Sequence, residues 1–259
     1  RMNQLKVINP LGEDTSVMRS TLVPSVLNTV SLNQNRNNET AMLYEIAPVF
    51  DVSERKAGDL PHEQPSLCIG AYGKNVDFYL IRDIVMDMLA QFGLHGDIIP
   101  GAEPYHHPGR AAKIMIGEAC IATVAELHPN TMAAFGITRR TIIAEVNLEM
   151  LCRMQKKMEH VHALPKFPAV TRDIALVMDE TTTVGSVLHA IRHTGGALLE
   201  KAEMFDIYRG EQLLPGKKSV AFSLTFRNPD RTLSDDDVNP LMQKILAVCE
   251  AECGASLRL

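Results

Sequence analysis

Long apolar runs are missing from this sequence: none approaches the ~20 residues that span a bilayer, and no signal-peptide pattern is visible. Excess basic charge is missing too. The formal net charge is −5, and from Pro165 onward 11 Lys and Arg stand against 13 Asp and Glu. That balance excludes a strongly basic nucleic-acid binder and leaves room only for local RNA contacts. The five cysteines, at 68, 120, 152, 249 and 253, form an odd set with no Cys-x-x-Cys pair. Such usage suits reduced thiols in a cytoplasmic protein better than a disulfide framework. Cys249 and Cys253 lie one helical turn apart but find no suitably spaced second pair, so no metal site is expected. The chain opens on Arg1 and runs straight into Leu-Lys-Val-Ile-Asn-Pro, as expected of a piece of a longer protein.

What is present is enough apolar material for ordinary cores, 46% of 259 residues, and a length that fits two domains. The most informative stretch is Glu203 to Asn228. Val220, Phe222, Leu224 and Phe226 alternate with Ser219, Ala221, Ser223 and Thr225, the two-residue period of a strand with one buried face. In the preceding limb Phe205 and Ile207 are read to one side and Asp206 and Tyr208 to the other. Gly210 and Pro215-Gly216 between the limbs predict a long-looped antiparallel hairpin. Its second face is small or polar around a single ring, a surface that something flat can approach.

The flanking segments extend this hairpin to a βαββαβ unit. Arg172 to Met178 alternates as a strand, and Val184, Val187, Leu188 and Ile191 recur at helical spacing up to Gly195-Gly196. Ser234 and Asp237 form a capping-box-like helix start, with Leu241, Ile245 and Val248 as its apolar stripe and Pro240 expected to kink the helix or delay its start. Asp235 to Asp237 are read as caps of that helix, not as a cation site. A short extended segment, 256 to 259, ends the unit. This is the split ferredoxin-like plan, two helices on one sheet face and the other face open. Alternation alone puts Ala175, Asp206, Tyr208 and Ser219 on that open side. Arg209, Lys217, Lys218, Arg227 and Arg231 cluster around the hairpin as candidate phosphate contacts or as ordinary solvated charges.

The first half reads as alternating strands and helices: a helix from Pro24, a strand from Leu43 to Val52 interrupted at Pro48 and so at an edge or bulge, an exposed loop from Gly58 to Pro65, and a buried strand from Leu67 to Tyr72. A helix follows from about Val76 to Phe92, then a hairpin about Gly117-Glu118 with limbs Lys113 to Ile116 and Ile121 to Ala125. A short helix near Asn130 to Phe135 and a strand from Thr141 to Leu148 close the domain. His160 and His162 fall in a solvated linker.

Several motifs together carry a family resemblance. Asn-Pro-Leu-Gly-Glu-Asp-Thr-Ser-Val-Met-Arg-Ser-Thr-Leu-Val-Pro-Ser at 9 to 25, Leu-Tyr-Glu-Ile-Ala-Pro-Val-Phe at 43 to 50 and His-Pro-Gly-Arg-Ala-Ala at 107 to 112 resemble the β subunit of bacterial phenylalanyl-tRNA synthetase. Glu-Leu-His-Pro at 126 to 129, Lys-Phe-Pro-Ala-Val-Thr-Arg-Asp at 166 to 173 and Phe-Asp-Ile-Tyr-Arg-Gly at 205 to 210 do the same, in order. The resemblance implies an α+β chain in three parts. Residues 1–150 form a catalytic-like, non-catalytic class II synthetase domain with an antiparallel sheet, 151–164 a linker, and 165–259 a ferredoxin-fold anticodon-binding domain. It implies docking to a catalytic α subunit in an (αβ)₂ heterotetramer, binding of phenylalanine tRNA, no membrane, and ATP and Mg²⁺ used by the full enzyme but no cofactor held by this piece.

By the same resemblance the anticodon is read by Ala175, Asp206, Tyr208, Ser219 and Arg258, with possible phosphate contacts from Arg209, Lys217 and Lys218, and His106-His107 belongs to a structural loop. The chain alone is expected not to activate phenylalanine. A class II adenylation site needs arginines for the ATP phosphates, and neither an Arg-x-Glu strand motif nor a glycine-rich segment leading to Arg is present. A second reading rests on Gly195-Gly196: a ferredoxin-like regulatory module that binds a small metabolite, with the first half as scaffold.

Overall fold

The computed structural model describes residues 5–51, 60–154, 164–210 and 212–258. The chain divides into two compact units, residues 1–160 and 161–259. His160 and His162 lie outside the described residues.

In the first unit, helix α1 (Val23–Asn35) starts with Pro at its first turn, where the missing N–H costs nothing. Strands β1 (Ala41–Asp51) and β2 (His62–Tyr72) pair antiparallel, with Pro48 opposite Pro65. Helix α2 (Phe78–Gln91) begins at Asp77, whose carboxylate accepts from the Leu80 N–H at 2.8 Å. Next come β3 (Asp97–Pro100), β4 (His106–Ile116), β5 (Ala119–Leu127), the short helix α3 (Pro129–Ala134), β6 (Thr141–Asn147) and α4 (Leu148–Met154). The strands form one antiparallel sheet in the order β1-β2-β6-β5-β4-β3. Pro48 therefore sits in an edge strand, as expected, although β1 continues through it.

Four expectations for this unit change. Residues 62–65 belong to β2 and not to a loop, because the two prolines face each other across a single strand pair. His106 and His107 open β4 rather than forming a loop, and His106 is buried. Strand β3 has no counterpart in the sequence reading, since all four of its residues are exposed and leave no burial period. Leu151, read as linker, is fully buried within α4.

Leu67, Ile69 and Ala71 pack under α2 and α4, while Cys68 and Tyr72 pack under α1. Alternation along β2 thus feeds two cores on opposite sheet faces.

The second unit follows βαββαβ: β7 (Val170–Asp179), α5 (Val184–Gly195), β8 (Leu199–Tyr208), β9 (Lys217–Phe226), α6 (Asp235–Cys253) and β10 (Ser256–Leu257). Its sheet order is β10-β7-β9-β8, all antiparallel. Thr183 caps α5 through its hydroxyl, 3.2 Å from the Ser186 N–H. At the start of α6 the Asp237 carboxylate accepts from the Ser234 backbone N–H at 2.9 Å and holds Arg231 through two 2.7 Å bonds. The arginine and the Ser234 donors keep that carboxyl far below the usual range. The helix begins at Asp235, before Pro240 and not after it. Ile174, Leu176, Met178, Val220, Phe222, Leu224 and Phe226 face both helices in one core.

Candidate nucleic-acid interface

The face of the second sheet turned away from its helices is built by register. One row joins Arg258, Ala175, Ala221 and Asp206: Ala175 pairs with Ala221, Ala221 with Asp206, and the Arg258 N–H donates to the Ala175 carbonyl at 2.8 Å. The next row joins Ser256, Val177, Ser219 and Tyr208. The predicted positions Ala175, Asp206, Tyr208, Ser219 and Arg258 thus occupy two adjacent rows of one surface.

One part of the alternation is corrected. Ala202 and Met204 pair with Leu224 and Phe222 on the helix side, and a register shift between Met204 and Asp206 then inserts Phe205 as an extra residue. Beyond this bulge the phase is reversed. Asp206 and Tyr208 turn to the open face and Ile207 packs against the core. Phe205, expected inside with Ile207, is 59% exposed.

Arg258 and Tyr208 rise from opposite edge strands, three strand spacings or ~14 Å apart, yet they meet. The Arg258 guanidinium lies 4.9 Å from the Tyr208 ring centroid, and its Nη2 donates to Gln212 Oε1 at 2.9 Å. Their side chains therefore meet over β7 and β9, and Ser219 on β9 is only 3% exposed. The Ser219 hydroxyl has no hydrogen-bond partner among the described residues, and neither has the exposed Asp206 carboxylate. Gly210 stands behind the phenol: a Cβ there would come within 2.4 Å of Tyr208 Oη. A ring, a guanidinium, a carboxylate and a hydroxyl over small residues form a floor for one flat polar ligand, able to stack and to hydrogen-bond its edges.

The basic residues do not form one cluster. Arg209 pairs with Glu180, Lys217 with Asp179 at 2.8 Å, and Lys218 is buried with its ammonium on the Glu180 carbonyl at 2.9 Å. Arg227 lies at the other end of β9, bonded to Glu200 and the Phe167 carbonyl, and Arg231 is held by Asp237. Gln212, which holds Arg258, was missed by the sequence reading because it sits in a loop without periodicity.

In the first unit the arginines that reach the sheet are engaged by carboxylates. Arg19 Nη1 lies 3.1 Å from Glu45, and Arg110 and Arg140 converge on the buried Glu126 at 2.7 and 2.6 Å. Arg19 was not foreseen beside Glu45, because it comes from 26 residues upstream. Glu145 accepts from the Tyr105 hydroxyl at 2.7 Å and from Thr21. Burial, then the Glu145 charge, pushes the Tyr105 phenol up, so it stays a donor. Among the described residues no group of three or more His, Cys, Asp or Glu could hold a metal ion, and no helix is long and apolar enough to cross a membrane.

Residues 1–148 match the phenylalanyl-tRNA synthetase β chain CLM domain, and residues 165–258 match the ferredoxin-fold anticodon-binding domain. The chain belongs to the phenylalanyl-tRNA synthetase β chain family. The phenylalanine–tRNA ligase β subunit of Clostridium acetobutylicum is 37% identical over 258 residues, 99% of this chain and 32% of that protein. Its counterparts in Clostridium tetani and Bacillus subtilis are 38% and 34% identical over 99% and 96% of this chain, and the chain covers 32% of each. A solved pyrrolysyl-tRNA synthetase from Desulfitobacterium hafniense aligns at TM-score 0.48 with 14% identity, over 58% of this chain and 53% of that one. The metabolite-binding alternative loses its footing here. Gly195 is buried where a Cβ would meet Leu199 at 2.5 Å, and Gly196 takes φ 54° to end α5, so both glycines serve packing and capping.

Proposed function

We propose that this chain acts within a phenylalanine–tRNA ligase, reading the anticodon of phenylalanine tRNA with its second unit and supporting a catalytic α subunit with its first. The observation that carries the reading is the two-row face of Arg258, Ala175, Asp206, Ser219 and Tyr208, with the Ser219 hydroxyl and the Asp206 carboxylate lacking hydrogen-bond partners among the described residues. An unstacked base lies on the Tyr208 ring, Ala175 and Ala221 allow close approach, and Asp206 and Ser219 take its edge. At the hairpin end Arg209 and Lys217 exchange their surface carboxylate partners, Glu180 and Asp179, for phosphates, with Lys218 contributing charge from below.

The first unit is a docking scaffold of the (αβ)₂ assembly in the cytoplasm. Met42, Tyr44 and Ile46 form an exposed apolar stripe along the edge strand β1. ATP and Mg²⁺ belong to the partner's chemistry: Arg19, Arg110 and Arg140 already neutralise Glu45 and Glu126, which leaves them poorly suited to hold phosphates. In this reading residues 1–150 and 165–259 work as separate domains, and the linker read at 151–164 begins only after α4.

The test is Tyr208→Ala in the reconstituted synthetase. Loss of one base stack weakens binding of phenylalanine tRNA by about 1–3 kcal/mol and leaves its salt dependence unchanged. Normal tRNA binding together with a much lower melting temperature would make the ring a structural residue and remove the reading face.

A further inference from the structure

Phe205 is a large apolar residue that the fold has taken trouble to expose. The bulge that turns Asp206 and Tyr208 outward also leaves Phe205 unpaired, 59% exposed and outside the core to which Ile207 belongs. Burying a phenylalanine stabilises a fold, and here most of that gain is forgone. The open-face residues of β9 that pair on either side of the bulge, Ala221 with Asp206 and Ser223 with Glu203, are small. Three residues along β8, or ~10 Å, stands the Tyr208 ring. Between them lies the free Asp206 carboxylate. Sheets that read single-stranded RNA carry two or three rings to hold successive unstacked bases.

Resting on the anticodon-reading function proposed above, we propose that Phe205 is a second stacking surface of this face, which takes a nucleotide next to the one on Tyr208. The bulge supplies both rings at once: it reverses the strand for Tyr208 and presents the inserted residue for the neighbouring base. Protein docking on the exposed ring is the competing use.

The experiment uses the complete reconstituted synthetase and a phenylalanine tRNA transcript. Phe205→Ala is expected to weaken tRNA binding about 5- to 100-fold, with phenylalanine-dependent pyrophosphate exchange, heterotetramer assembly and melting temperature unchanged. Phe205→Trp restores binding and Phe205→Leu does not, because a stack needs a ring and an apolar contact does not. Normal binding by Phe205→Ala alongside weakened binding by Tyr208→Ala overturns the second stack and leaves the reading face standing. Normal binding by both variants overturns both. Loss of assembly by Phe205→Ala, or rescue by Leu equal to rescue by Trp, makes the residue a protein contact and also overturns the proposal.

Discussion

The six-stranded sheet of the first unit carries apolar clusters on both faces, whereas the four-stranded sheet of the second carries one on a single face. Polar residues fare differently on the two. On the first, the Glu145 carboxylate is taken up by Tyr105 and Thr21, Glu126 by two arginines, and Glu45 by Arg19. On the second, Asp206 and the Ser219 hydroxyl have no hydrogen-bond partner among the described residues. A covered sheet pairs most of its own polar groups, because leaving one unpaired in the interior costs about 1–3 kcal/mol, and His106 Nε2 is an exception among the described residues. An uncovered sheet can leave them to a ligand or to water. The two sheets therefore differ in coverage, and under the function proposed above coverage is the variable that separates scaffold from reader.

The largest effect that would sharpen this contrast comes from Phe222, fully buried on the helix side of the uncovered sheet. Phe222→Ala should cost about 3–5 kcal/mol. Denaturant unfolding followed by hydrogen exchange should show the loss in residues 165–258 while the first unit keeps its protection. Comparable loss in both units would mean that they do not unfold separately.

A second measurement sets acid sensitivity against coverage. His106 is buried in the first unit, where its Nδ1 accepts from the Glu103 N–H at 3.1 Å and its Nε2 has no partner among the described residues. Burial pulls its pKa down from 6.5 to about 4, Lys113 adds to the fall and Glu103 opposes it. Because the folded value lies below the unfolded one, the neutral ring stabilises the fold fully above pH 6.5, and that contribution is lost as pH falls toward 4. The loss is roughly 2–3 kcal/mol. His106→Asn should remove this part of the pH dependence in a urea-unfolding series from pH 7 to 4. An unchanged slope would show that carboxylates alone set it.

Gly210 offers a smaller perturbation of the open face. Gly210→Ala must push against the Tyr208 hydroxyl, so the ring moves while the other groups of the face keep their places. Stability should change by less than about 1 kcal/mol, and tRNA affinity should fall by less than in Tyr208→Ala. Full affinity would show that the ring's exact seat does not matter. The smallest effect is that of Lys217→Ala, which frees Asp179. If Lys217 meets a phosphate, binding weakens alike for all tRNAs and the log–log salt slope drops by about one, an outcome titration at several salt concentrations reads directly.

The strands of the second unit were legible because one covered face imposes a strict two-residue period, seen in Val220 to Phe226. The same rule failed at Phe205, since a one-residue bulge reverses phase without any residue type to announce it; Asp206 and Tyr208 were placed correctly from their local alternation. Strand β3 was illegible for the opposite reason: an exposed edge has no period to read. The meeting of Arg258 with Tyr208, and Gln212 behind it, depends on strand order across the sheet, which local patterns do not encode. Lys218 shows the limit of charge counting. It sits in a basic run, yet its ammonium is turned inward to a backbone carbonyl.

The pairing of β10 with β7 has a consequence for how the face comes into being. Val177 finds Ser256 roughly 80 residues downstream, a distant contact that forms late. As the chain leaves the ribosome, β7, β8 and β9 can assemble first, with one side of β7 still unpaired and prone to recruit a stray strand. Only when the segment after α6 emerges does that edge close, Ala255 fill its place in the core and Arg258 reach across to Tyr208. Assembly of the Arg258–Tyr208 contact and protection of the nascent edge are one event, so a newly made chain loses its exposed edge at the moment its open face is completed.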